Sequence, residues 1–142
     1  MPASTAPLAH ELRETLGRIV RRLRAEPGPS TRHLTVLSRL DRHGPSSTSD
    51  LAAAERMRPQ SMAQTVRDLE ETGLVSRRPD PADRRRAFLE LTPAGRDELR
   101  ATRARRESWL AQALERELDA HDRELLRQAL ALLRRLTDEE TT

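Results

Sequence analysis

The sequence predicts a mainly helical α+β fold, with helices at both ends of the chain and one short β-hairpin after its middle. Leucines recur at helical spacing in both terminal segments. Residues 51–95 are predicted to form two short helices separated by a turn, followed by two short strands. Aromatic residues make up only 1% of the chain, so Leu, Val and Ala must form the core, which favours helices over a β-sandwich.

The composition of the 142 residues suits one folded domain and limits its chemistry. The net charge of +3 is too small to indicate a nucleic-acid partner by itself. The charge is unevenly distributed along the chain, however. Residues 1–95 contain 16 Arg and 12 acidic residues, whereas residues 96–142 contain 10 Arg and 11 acidic residues. The absence of cysteine excludes disulfides, thiolate metal sites and thiol-based redox sensing.

No segment has the features of a membrane span or a signal peptide. A span needs about 20 predominantly apolar residues, and no apolar run in the sequence approaches that length. The N-terminus also lacks the apolar stretch of a secretory signal. We therefore expect a cytoplasmic protein without membrane association.

The first two helices are predicted from apolar spacing and from the residues that punctuate it. The first helix has one apolar side, formed by Leu8, Leu12, Leu16, Ile19 and Leu23. Pro27-Gly28-Pro29 ends it, and Ser30 can cap the next helix. That helix buries Leu34, Leu37 and Leu40, and it stops at Gly44 and Pro45.

A third and a fourth helix follow, joined by a tight turn. Ser47 and Asp50 resemble a capping box for a helix from Thr48 to about Glu55. Pro59 suits the first position of the fourth helix, which runs to about Thr72. Its inward stripe is Met62, Val66 and Leu69. Arg58 falls at the N-cap without a side-chain acceptor, at a cost of about 1 kcal/mol relative to Ser or Asp. Locally broken rules tend to mark functional positions.

The remaining elements are a hairpin and two more helices. We predict strands over residues 74–78 and 87–92, because the two prolines of the linker 79–86 forbid helix and ladder alike. Thr92 and Pro93 can start a long helix ending near Leu118. Asp119 and Asp122 can cap a final helix, whose apolar residues are Leu125, Leu126, Ala129, Leu132, Leu133 and Leu136.

This order of elements is that of a winged helix-turn-helix, which places one helix in a DNA groove with a hairpin beside it. The fourth helix presents the polar residues Arg58, Gln60, Ser61, Gln64 and Arg67. Gln can contact adenine bidentately, Arg can contact guanine, and Ser suits a base or a phosphate. Acids gather only at the far end of this helix, so its N-terminal half would meet DNA. Without the hairpin, an ordinary solvated helix face would explain the pattern equally well.

The hairpin, or wing, strengthens the DNA interpretation. Its polar candidates are Arg77, Arg78, Asp83, Arg84, Arg85 and Arg86. Three adjacent guanidinium groups repel one another, and a nearby polyanion would relieve that cost. An Arg at a wing tip can enter a narrow minor groove. Asp83 could hold Arg85 in position through a charge-assisted hydrogen bond, and Arg77 and Arg78 would lie near flanking phosphates.

The apolar stripes of the terminal helices need a partner. Packing on their own domain is one solution, but the simpler one is the same surface of a second chain. The residues predicted for dimerisation are Leu8, Leu12, Leu16, Ile19, Leu125, Ala129, Leu132, Leu133 and Leu136.

Residues 51–95 resemble the MarR family of bacterial winged-helix regulators. The motif D-x-R followed by L-T-x-x-G is matched by Asp83, Arg85, Leu91, Thr92 and Gly95. The motif LE-x-x-GL is matched by Leu69, Glu70, Gly73 and Leu74. The resemblance extends in layout over nearly the whole chain. It implies one domain over residues 1–142, with the winged helix at 30–95 and dimerisation helices at 8–25 and 96–137.

The resemblance also implies a function. Members of the family bind a near-palindromic site in double-stranded DNA as homodimers, usually as repressors of a nearby promoter. A small ligand, often a phenolic one, releases them from DNA. An anionic aromatic ligand is also compatible, because Arg or His side chains could bind it. The sequence does not identify the ligand-binding residues. By the same resemblance, Arg85 is the minor-groove residue and Asp83 supports it. Family members often have a small residue at the position of Arg84, and Arg or Thr at the position of Gln64. These two differences affect which operator sequence is expected.

Catalysis finds no support in the sequence. His10, His33, His43 and His121 share no metal-ligand spacing, and no phosphate loop or nucleophile motif appears. We therefore expect no enzyme activity, no catalytic residue, no metal and no cofactor. Two other interpretations remain open at this point: a ligand-independent or architectural DNA-binding protein, and a protein-interaction adaptor on the same fold.

Overall fold

A computed structural model describes residues 4–138 and shows the predicted order of elements. The helices and strands are α1 (Ala6–Arg24), α2 (Thr31–His43), α3 (Thr48–Ala54), α4 (Pro59–Glu71), β1 (Val75–Pro79), β2 (Ala87–Leu91), α5 (Pro93–Glu117) and α6 (Ala120–Arg135). This is the mainly helical winged helix-turn-helix that the sequence predicts. No helix within residues 4–138 is long and apolar enough to cross a bilayer.

The chain divides into two compact units between Arg105 and Arg106, within α5. The first unit contains the winged helix and its core. This core joins α2, α3, α4, the hairpin and the start of α5, and its buried residues are Leu34, Val36, Leu37, Leu40, Leu51, Ala52, Met62, Val66, Leu69, Val75, Leu89 and Leu99. All of them are aliphatic or Met, as the lack of aromatic residues requires.

Local capping fixes where α2 and α3 begin. The Ser30 hydroxyl accepts the His33 backbone N–H at 3.3 Å, as predicted for α2. The Ser47 hydroxyl likewise accepts the Asp50 backbone N–H at 3.1 Å. The predicted capping box at α3 is wrong, however, because the Asp50 carboxylate bonds to Arg86 of the wing instead. A reciprocal capping box does form at α6, between Asp119 and Asp122.

Helix α4 begins at Pro59 and has the predicted uncapped start. Arg58 precedes it in an extended conformation without any side-chain capping hydrogen bond. Met62 and Val66 are fully buried on its inner face. The helix ends at a turn in which Gly73 has φ +75°, a conformation that a Cβ would disfavour. This turn sends the chain into β1.

The hairpin is antiparallel, with pairs running from Val75 opposite Leu91 to Pro79 opposite Ala87. Leu74 was predicted to lie in the first strand, but its N–H donates to the Leu69 carbonyl and closes the end of α4. Ser46 forms a further two-bond bridge to Leu89, at 3.1 and 2.8 Å. The wing is therefore held against the segment that precedes α3.

The terminal helices each leave apolar residues uncovered. Neither α1 nor α6 has any buried residue. The exposed large apolar residues of α1 are Leu8, Leu16, Ile19 and Val20, and those of α6 and its C-cap are Leu125, Leu126, Leu130, Leu132 and Leu136. Exposed leucines on both helices are what the predicted dimer would need, and the dimer itself remains a prediction.

Candidate nucleic-acid interface

The outer face of α4 carries the polar residues that the sequence assigned to DNA reading. Arg58, Gln60, Gln64 and Arg67 are exposed, and Ser61 is half-buried. Because Met62 and Val66 face the core, these polar side chains point away from it. The first turn of α4 contains no acid, so its backbone N–H groups and positive dipole end face solvent without a competing carboxylate.

Gln64 is held by partners on both sides of its amide. Its Nε2 donates to Oδ1 of Asp68 at 2.9 Å, and its Oε1 accepts from a guanidinium nitrogen of Arg67 at 2.9 Å. The other oxygen of Asp68, Oδ2, lies 3.2 Å from Nε2 of His33. On the far side of the ring, Nδ1 of His33 lies 3.0 Å from the Ser30 hydroxyl. A single chain of polar contacts therefore links the start of α2 to Gln64.

A cleft of about 490 Å³ opens between α2 and α4 at this chain of contacts. Its lining residues are Ser30, Arg32, His33, Gln60, Ser61, Gln64, Thr65 and Asp68. Gln60, Ser61 and Gln64 were predicted from the sequence, whereas the contribution of α2 was missed. The spacing of four between Gln64 and Asp68 is a local signal for their contact. No local signal exists for His33, which is 35 residues from Asp68.

The contacts of Asp68 hold its pKa below the ordinary value of 3.8, chiefly through the hydrogen bond from Gln64 and then through the one from His33. A lowered folded-state pKa means that the carboxylate stabilises the fold at any pH above the unfolded pKa. That contribution is lost as the pH falls from about 3.8 through the lower pKa of the folded state.

We therefore predict that Asp68→Asn makes the protein less sensitive to acid. The free energy of unfolding, measured by urea titration, should fall less for Asp68→Asn than for the native chain between about pH 5 and pH 3. The two chains should differ most at the higher pH, where only the native carboxylate is charged. Parallel pH profiles for the two chains would contradict this assignment.

The wing tip is ordered by Asp83. One oxygen of its carboxylate accepts the backbone N–H of Arg85 at 2.9 Å, and its carbonyl accepts the backbone N–H of Arg86 at 3.1 Å. The predicted bond between Asp83 and Arg85 is therefore made to the main chain, which leaves the guanidinium of Arg85 available. Asp83 acts here by fixing the turn.

The six polar wing residues differ in how their side chains are engaged. Arg86 donates to the Ser47 hydroxyl and to the Asp50 carboxylate, both at 3.1 Å, and so anchors the wing to α3. Arg77 makes two bonds to Glu70 of α4, which raise the pKa of its guanidinium. Arg78 lies 3.9 Å from Glu90 on the opposite strand.

Arg84 and Arg85 remain as the exposed cations of the tip. Within residues 4–138, neither guanidinium lies within 4.0 Å of a carboxylate. Of the three consecutive arginines, two therefore keep their charge uncompensated and one is structural. The part of the chain described here also contains no cluster of three or more His, Asp or Glu side chains that could hold a metal ion.

Comparison with known proteins identifies the family. Residues 30–87 match the model of the MarR family. An HTH-type transcriptional regulator of Mycobacterium leprae is 33% identical over 139 residues, which are 96% of each chain. The chain belongs to the MarR family. It is accordingly a transcriptional regulator with a winged helix-turn-helix, and DNA is its binding partner.

Solved structures of transcriptional regulators share this fold. A transcriptional regulator protein from Pseudomonas aeruginosa has a TM-score of 0.86 and 40% identity, covering 96% of this chain and 98% of that one. A mutant MarR from Escherichia coli, complexed with operator DNA, has a TM-score of 0.61 and 19% identity, covering 91% and 92%. At that identity the likeness to the Escherichia coli protein concerns the fold alone.

Proposed function

We propose that this MarR-family protein is a homodimeric repressor that binds a near-palindromic operator at a nearby promoter and is released by a small molecule. The observation that carries the proposal is the pairing, in one unit, of a polar α4 face with a wing tip bearing two arginines that form no ion pair within residues 4–138. The cytoplasm, where the chromosome lies, is the compartment that fits this role.

The α4 face supplies sequence readout in this proposal, and the wing supplies a groove contact. Gln60 and Gln64 each offer a donor and an acceptor to a base edge, and Arg58 and Arg67 add positive charge beside them. Arg85 extends from a turn fixed by Asp83. Its guanidinium can enter the minor groove without breaking an ion pair to any carboxylate of residues 4–138.

The exposed leucines support the dimer. Leu8 is 66% exposed in α1, Leu132 is 60% exposed in α6, and Leu136, which follows α6, is 67% exposed. Removing apolar surface from water is favourable by about 25 cal/mol per Å², so covering these residues with a second copy would favour association. A two-fold dimer would also present two equivalent reading helices to two half-sites.

A cavity of about 340 Å³ beneath the α4 face offers a place for an effector. Its lining residues are Pro29, His33, Asp68, Leu69, Thr72, Leu74 and Glu98. Leu69 and Leu74 provide apolar surface, and His33 provides a polar contact, which suits a neutral phenol. The carboxylates of Asp68 and Glu98 make this particular cavity less suitable for an anionic aromatic.

The proposal is tested with purified protein and its own promoter region. We expect a dimer by light scattering, DNA binding that weakens steeply with salt, and a footprint of two half-sites about 10 base pairs apart. A monomer, a single half-site or no binding at low salt would reject the proposed repressor. If no compound in a metabolite panel changes the affinity, the protein is instead a ligand-independent DNA-binding protein.

A further inference from the structure

We propose that His33 and Asp68 are positioning residues that fix the orientation of the Gln64 amide and so determine which base Gln64 selects. The inference rests on the proposed role of α4 in reading DNA. Neither His33 nor Asp68 was among the DNA contacts predicted from the sequence.

The bonding partners of Gln64 permit only one orientation of its amide. Asp68 is a carboxylate and can only accept, so the group facing it must be the NH₂ of Gln64. Arg67 can only donate, so the group facing it must be the carbonyl oxygen of Gln64. Amide orientation is often ambiguous in proteins, but here the chemistry of the two neighbours decides it.

This orientation leaves Gln64 with a defined pair of groups for DNA. Each bond to a neighbour uses one N–H or one oxygen lone pair, and a Gln amide has two of each. One donor and one acceptor therefore remain, which is the pattern that bidentate recognition of adenine requires. A reversed amide would exchange the positions of the donor and the acceptor and mismatch the same base edge.

His33 in turn holds the carboxylate of Asp68 in place. Because Asp68 only accepts, Nε2 of His33 must carry the hydrogen in their 3.2 Å contact. In the neutral ring, Nδ1 is then an acceptor, and the Ser30 hydroxyl lies 3.0 Å away to donate to it. The same hydroxyl accepts the His33 backbone N–H, so the residue that caps α2 also contacts the ring.

Asp68 is otherwise poorly restrained, which is why His33 matters. Its side chain is 41% exposed and lies on the outer part of α4, where a carboxylate bonded only to Gln64 could rotate with it. The bond to His33 ties its second oxygen to a different helix, and the ring itself is only 27% exposed. The position of the Gln64 side chain therefore depends on α2 as well as on α4.

The proposal predicts a loss of selectivity at one base pair in each half-site. Libraries with randomised half-sites would be selected with the full-length protein and with the variants Gln64→Ala, His33→Ala and Asp68→Asn. Gln64→Ala should lose a single base preference, and the other two variants should weaken that same preference about 10-fold while leaving the remaining positions unchanged. The slope of affinity against salt should stay the same, because no phosphate contact is removed.

Two control variants separate positioning from general effects. Glu71→Gln removes one negative charge from the same end of α4 without touching Gln64, and we expect an unchanged base preference. His33→Gln keeps an N–H donor at a similar reach, so it should restore much of the selectivity that His33→Ala loses. Thermal melts of each variant confirm that the protein tested is folded.

Each outcome separates the positioning role of His33 and Asp68 from the DNA-reading role of Gln64. If Gln64→Ala loses its base preference while His33→Ala and Asp68→Asn keep it, the positioning role is overturned and the DNA-reading role stands. If Gln64→Ala changes no base preference, Gln64 is not a reader and this inference is wrong, although the protein binds DNA. If the native protein selects no DNA at all, the proposed function itself is rejected.

Discussion

Replacing Arg85 with Ala is expected to lower operator affinity by roughly 10- to 100-fold while leaving the protein folded. The guanidinium of Arg85 is exposed and has no carboxylate within ion-pair distance in residues 4–138, so its removal breaks no internal ion pair. Asp83 bonds to the backbone of Arg85, which the substitution retains. A loss of affinity should therefore reflect a lost contact between Arg85 and DNA. The measurement is the dissociation constant of the operator complex at fixed salt.

Matched substitutions show whether the effect belongs to the wing tip. Arg100→Ala removes an exposed positive charge from α5, where Arg100 lies 3.8 Å from Asp97, and we expect only a small change in affinity. Arg85→Lys keeps the charge but loses the planar fork, so its affinity should lie between those of the native protein and Arg85→Ala. Equal losses for Arg85→Ala and Arg100→Ala would mean that total charge matters and that the wing makes no specific contact.

The order and approximate bounds of the elements could be predicted because each boundary has a local cause. Ser30, Pro59 and Gly44 act within one turn of the helix ends that they define. Apolar spacing correctly identified the buried faces of α2 and α4 for the same reason, since helical periodicity is a property of neighbouring residues. The exception at Leu74 arose because a helix-closing hydrogen bond and a strand compete for the same N–H.

The details of the site could not be predicted because they depend on contacts between distant parts of the chain. Arg86 was grouped with its neighbours as a DNA contact, yet it reaches Ser47 and Asp50 across 39 and 36 residues. In the sequence, His33 was considered as a metal ligand and set aside, and its contact with Asp68 exists only once α2 packs on α4. Charge and spacing identify which face is polar, whereas tertiary packing decides which of its side chains are engaged.

The motif L-T-x-x-G, which carried part of the family resemblance, has a structural explanation at the junction of the wing and α5. The Thr92 hydroxyl donates to the Gly73 carbonyl at 2.6 Å and accepts the Gly95 backbone N–H at 3.0 Å. The Thr92 N–H donates to the Leu74 carbonyl, so the turn after α4 is bonded directly to the residue that precedes α5. Gly95 is buried at this crossing.

Gly95→Ala is therefore expected to destabilise the fold by about 3 kcal/mol, which corresponds to a fall in Tm of roughly 10 °C. A Cβ at Gly95 would overlap the Leu74 carbonyl oxygen, a backbone atom that cannot move aside without shifting the turn between α4 and β1. Gly17→Ala is the matched control, because Gly17 also lies within a helix but its Cβ would meet only the flexible end of Arg21 at 3.3 Å. That change should raise stability by about 0.5–1 kcal/mol, through the helix preference for Ala. Thermal melts showing equal Tm changes for both variants would mean that the close approach at Leu74 does not constrain the fold.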